Sequence, residues 1–98
     1  MNFYMMKVKD NVDLKELEKY GFTYVEWSYS HEYGFFPKLY VKDMYKDNKY
    51  LHKVNIIVNT DDRYIDIRNG KDFSLLVSKQ SIKKYLSDLL NAGIIESI

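Results

Sequence analysis

A short amphipathic helix, a glycine that stops it and an apolar strand occur in that order twice, and this repeat constrains the fold more than any other feature. The first copy runs Asp13-Leu-Lys-Glu-Leu-Glu-Lys-Tyr-Gly21 and continues Phe22-Thr-Tyr-Val25. The second runs Ser81-Ile-Lys-Lys-Tyr-Leu-Ser-Asp-Leu-Leu-Asn-Ala-Gly93 and continues Ile94-Ile95. In both, apolar residues three and four apart make one face of a helix. A glycine after the last turn takes the left-handed conformation at little cost, and the apolar residue behind it folds back on the helix. Asp13 followed by Glu16 has the spacing of a capping box. Ser78 or Ser81 suits the start of the second helix. That helix is predicted over about 79–92, with Ile82, Tyr85, Leu86, Leu89 and Leu90 on its core face.

The stretch between the two units alternates as strands do. Residues 22–30 are aromatic and β-branched, with Val25, Trp27 and Tyr29 on one face. His31-Glu-Tyr-Gly34 reads as a turn, and Phe35 to Lys42 as a second strand with Pro37 at its edge or start. Asp43 to Lys49 reads as a loop. Leu51 to Asn59 is the clearest strand, with His52, Val54, Ile56 and Val58 pointing one way and Leu51, Lys53, Asn55 and Ile57 the other. Thr60-Asp-Asp62 reads as a turn. Ile65 and Ile67 then point inward, with Tyr64, Asp66 and Arg68 outward. Asn69-Gly70 signals a tight hairpin, followed by Phe73, Leu75 and Val77 in alternation. Residues 2–8 read as a short strand or an ordered tail, with Met5 and Met6 as alternative starts that leave Met1 to Tyr4 dispensable.

These signals predict an α+β fold with residues 1–98 as a single domain. The expected architecture is one antiparallel meander sheet of four to five strands, with two helices (about 13–20 and 79–92) packed on one face. A chain of 98 residues buries roughly 60–65% of its unfolded surface, enough for one core without covalent staples.

The sequence contains no cysteine, which excludes disulfides, thiolate catalysis and cysteine-based zinc sites. Its net charge of +1 lacks the strong bias of a nucleic-acid mimic or a typical nucleic-acid binder. The apolar start is too short for a signal peptide, and no run approaches the ~20 residues that span a bilayer, so a cytoplasmic protein without membrane association is expected. Phosphate-cradling glycine loops, the nucleophile elbow and the H-E-x-x-H zinc motif are all missing, and no cofactor is expected.

Three groups of residues bear on function. His31, Glu32 and His52 are the materials of a metal site or small hydrolase, although a polar turn and a strand start account for both histidines. Asp61, Asp62 and Asp66 form a local acidic group, which turn chemistry explains in part. Lys38, Lys42, Lys46, Lys49 and Lys53 alternate with Tyr40, Tyr45 and Tyr50, a composition that suits a single-stranded nucleic acid.

Ten Tyr, five Phe and one Trp exceed what one small core readily needs. Trp27, Tyr29, Tyr33, Phe35 and Phe36 fall on two expected strands around one turn. Successive strand residues point to opposite faces, so these five cannot all enter one core. They are the expected contact surface for a protein partner or a second copy of the chain.

The segments Leu17-Glu-Lys-Tyr-Gly-Phe22, Tyr64-Ile-Asp-Ile-Arg68 and Leu86-Ser-Asp-Leu-Leu-Asn-Ala-Gly-Ile-Ile95 resemble those of small phage and prophage proteins of low-GC Gram-positive bacteria. That resemblance implies an accessory role, such as binding a host protein, and supplies no catalytic residues. The leading expectation is a non-enzymatic protein-binding module. Weak binding of single-stranded nucleic acid through the Lys/Tyr patch and hydrolysis through His31 or His52 are the alternatives.

Overall fold

Both glycine stops form as the sequence requires. Gly21 and Gly93 adopt left-handed backbone angles, with φ of 93° and 72°. Around the first, Gly21 N donates to Glu18 O and Phe22 N to Leu17 O. Around the second, Gly93 N donates to Leu90 O and Ile94 N to Leu89 O. These are the two bonds of a Schellman cap, made twice with the same spacing. In each cap a buried leucine, Leu17 or Leu89, lies across from a buried apolar residue, Phe22 or Ile94.

The computed structural model describes residues 3–26, 38–45, 53–69 and 76–98. Its elements are β1 (Phe3–Val8), a 3-10 helix (Leu14–Tyr20), β2 (Thr23–Glu26), β3 (Lys38–Tyr45), β4 (Lys53–Asn59), β5 (Ile65–Asn69), β6 (Leu76–Ser78), α1 (Lys79–Tyr85), α2 (Ser87–Asn91) and β7 (Ile95–Ser97). Asp13 caps the 3-10 helix by accepting from Lys15 N at 3.0 Å. Glu16 pairs with Lys19 at 2.8 Å. Ser78 and Ser81 cap α1 reciprocally, each side-chain oxygen accepting from the other's backbone N–H.

The fold is α+β, as expected, but its strands form two antiparallel sheets rather than one. The sheet β2-β3-β4-β5 is the anticipated meander, and β6-β1-β7 is the second. The N-terminal strand is central in that second sheet, pairing Tyr4 with Val77 and Val8 with Ile95. Phe3 and Tyr4 therefore belong to the sheet, and a start at Met5 or Met6 would remove their pairing with Ser78 and Val77. β3 also runs on to Tyr45, through the first residues of the expected loop.

The helix expected over 79–92 is broken at Leu86, where φ is −119° and ψ 10°. That φ departs from the helical value and rotates the last turn. Leu86 and Leu89 stay buried while Leu90 is exposed, so Leu90 leaves the expected core face.

The main core lies between the two sheets and the helices. Met6, Val8, Tyr40, Ile56, Val58, Ile65, Val77, Leu86 and Leu89 belong to it, together with the cap residues Leu17, Phe22 and Ile94. The larger sheet is also buried at the centre of its other face, where Leu39 is 0% and Ile57 2% exposed. That explains the unbroken run Ile56-Ile57-Val58, typical of a strand buried on both sides.

The sheets meet at Arg63. Val8 N donates to Arg63 O at 3.0 Å, and Lys7 bridges Tyr64. Arg63 has a φ of 67°, a costly conformation for a residue with a side chain. Its Nη1 donates to Lys9 O and Val12 O, both at 2.7 Å, and ties the β4–β5 turn to the chain leaving β1.

Candidate interaction surface

Phe22 anchors the start of β2 in the core, and the four residues after it run along the border of the larger sheet. β2 is the terminal strand of that sheet among the described residues. Thr23, Tyr24 and Glu26 are exposed and Val25 is half-buried. Tyr24 is 43% exposed. Its ring meets that of Tyr40, directly opposite in register, edge-on at 5.4 Å and 61°. Its hydroxyl donates to Glu26 Oε1 at 3.0 Å. Partial loss of water and then Glu26 raise the Tyr24 phenol above its ordinary value, so it remains a donor at neutral pH. Burial, followed by Glu18 and Asp13, does the same for Tyr40.

Tyr24 and Glu26 were not singled out by the sequence. The signal was present, because two polar-tipped residues two apart on a strand share a face. Alternation alone does not tell whether that face is covered.

The expected contact residues Trp27, Tyr29, Tyr33, Phe35 and Phe36 lie outside the described residues, between β2 and β3. Lys46, Lys49, Tyr50, His31, Glu32 and His52 also lie outside them. Tyr45 and Lys53 pair in register at the far end of β3 and β4, and only their backbone is described.

Lys38 is exposed at the start of β3, where its carbonyl accepts from Thr60 N and Thr60 Oγ1. Lys42 is turned inward instead. Its amine lies 5.8 Å from the Phe22 ring centroid and 3.6 Å from Asp88 Oδ2, so it joins the sheet to the caps of both helix–glycine units. Tyr40 is buried in the core. Of Lys38, Tyr40 and Lys42, only Lys38 has an exposed side chain.

The three aspartates do not share one setting. Asp61 and Asp62 are exposed in a turn built by side-chain acceptors: Asn59 Oδ1 takes the Asp61 N–H, and Asp62 Oδ1 the Tyr64 N–H. Asp66, expected on a solvated face, is only 2% exposed. It does point away from Ile65 and Ile67, but that face is covered as well. Arg68 Nε lies 3.8 Å from its carboxylate, and Asn55 stands opposite Arg68 in register. No group of three His, Cys, Asp or Glu side chains able to hold a metal occurs among the described residues.

An open cleft of about 440 Å³ lies beside α1, lined by Ser78, Gln80, Ser81, Lys84 and Tyr85. Its two serines are committed to the helix cap, and Lys84 lies over the Tyr85 ring. Among the described residues no helix is long and apolar enough to cross a membrane. No protein-family model matches the chain, and neither does any curated protein or solved structure.

Proposed function

We propose that this protein is a non-enzymatic binding module that acts in the cytoplasm by contacting another protein through the border strand β2 and the aromatic segment that follows it. The observation that carries this reading is Tyr24, a large and 43% exposed ring on a strand that is terminal among the described residues and runs on in sequence to Trp27. Exposed tyrosine buries much area on contact and keeps a polar tip for orientation. A terminal strand adds backbone donors and acceptors to which an extended segment pairs. The resemblance to phage proteins supports an accessory role on a host protein. The inward turn of Lys42 and the burial of Tyr40 give the nucleic-acid reading no comparable support.

The test is comparative capture. Wild-type protein and Tyr24→Glu are immobilised side by side in bacterial lysate, and each retained protein is then purified and rebound alone. A partner that binds the wild type directly and the variant at least tenfold more weakly is the expected result, since a charge replaces an anchoring aromatic at the contact. If rebinding is the same for both proteins, or no retained protein rebinds, the reading fails.

A further inference from the structure

We infer that β2, terminal in its sheet among the described residues, is self-complementary and joins two copies of this chain in an antiparallel β2–β2 pair, an inference that rests on reading β2 as the contact strand. In an antiparallel pair, residues directly opposite share a face, so a symmetric pairing that keeps core faces aligned must be centred on a residue. Centring on Tyr24 sets Glu26 of each copy against Phe22, a buried cap residue, and matches a carboxylate with an apolar group. Centring on Val25 sets Tyr24 of each copy opposite Glu26 of the other. That register matches a phenol donor with a carboxylate acceptor at both ends.

The pairing chemistry already exists within one chain, where the Tyr24 hydroxyl donates to Glu26 at 3.0 Å. Directly opposite residues in a pair stand about 4.5–5.5 Å apart at Cβ, so the same donor reaches across. Symmetry makes each contact twice, as an isologous interface requires. β2 has only four residues, so the dimer is small and concentration-dependent. Val25, half-buried at the centre, closes against its own copy.

Sedimentation equilibrium over a wide concentration range tests this, with four proteins compared. For the wild type, the mass should rise from monomer toward dimer as concentration increases. Tyr24→Glu places two carboxylates opposite each other twice and should weaken self-association by about tenfold. Glu26→Tyr alone removes both acceptors and should weaken it too. The exchange variant, Tyr24→Glu with Glu26→Tyr, rebuilds the same donor–acceptor pairs and should restore the wild-type mass. Thermal unfolding of each variant confirms that it is folded. A wild-type mass that stays monomeric throughout overturns the inference, as does an exchange variant that remains weakened while folded. Capture of another protein that depends on Tyr24 would in that case leave the proposed function standing without the dimer.

Discussion

Leu86→Ala should lower the stability of this protein by about 2–5 kcal/mol, the cost of emptying a filled leucine site in a core that relaxes incompletely. Leu86 is 0% exposed and sits at the bend between α1 and α2. Its backbone N–H donates to Ile82 O and its carbonyl accepts from Leu90 N, so the backbone bonds continue through the bend. Alanine leaves those bonds intact, which makes the loss one of packing. Leu90→Ala is the internal control, because Leu90 is exposed despite sharing the helical period. Surface substitutions of that kind stay within about 0.5 kcal/mol. Urea midpoints for the two variants should therefore separate widely, and equal shifts would show that the helix does not bend as described.

Arg63→Ala should cost about 2–4 kcal/mol, for reasons that lie in the backbone as much as in the side chain. The guanidinium makes two hydrogen bonds to main-chain carbonyls of a distant segment. Bonds involving a charged donor contribute about 1.5–3 kcal/mol, and their loss takes that donor from Val12 O while Lys9 O keeps only the Val12 N–H. Alanine also retains the penalty of a left-handed φ. Arg63→Gly loses the same hydrogen bonds but removes that penalty, so it should be milder than Arg63→Ala by about 1 kcal/mol. Denaturant unfolding of both variants checks the order. If glycine is no milder than alanine, the left-handed conformation is not a source of strain.

Much of this architecture is legible in the sequence because it depends on local chemistry. Gly21 and Gly93 announce helix stops, since no other residue takes a left-handed angle so cheaply and each is followed by an apolar residue. The alternation across Val54, Ile56 and Val58 assigns one strand face without ambiguity. The second sheet is not legible in the same way. β1 pairs with β6 and β7, which lie some seventy or more residues along the chain, and short-range periodicity carries no record of that pairing. The exposure of Leu90 depends on one non-helical residue, Leu86, whose type gives no warning. Asp66 shows a further boundary: alternation assigns a face to a side chain, whereas its burial depends on what covers that face.

The candidate surface is less legible than the fold. The sequence drew attention to the dense aromatic run from Trp27 to Phe36, whereas the described part of the surface rests on Tyr24 and Glu26. These two residues acquire meaning only through position, because β2 is terminal in the sheet among the described residues. The same tyrosine and glutamate on a central strand would be a polar pair within one strand like many others. Two residues of the Lys/Tyr patch turn inward for a related reason. Lys42 and Tyr40 lie on the face of β3 that meets the core, where Phe22, Asp88 and the neighbouring apolar side chains engage them.

Hydrogen–deuterium exchange on the backbone of β2 tests most directly whether this strand is the contact surface. Amides at the border of a sheet exchange readily when they face water and slow when another strand pairs with them. Exchange should be followed in dilute protein and again at high concentration or with a rebound partner. The account predicts new protection within residues 23–26, with the Schellman caps at Gly21 and Gly93 unchanged. Protection confined to other elements, or an unaltered β2 in the presence of a bound partner, would contradict it.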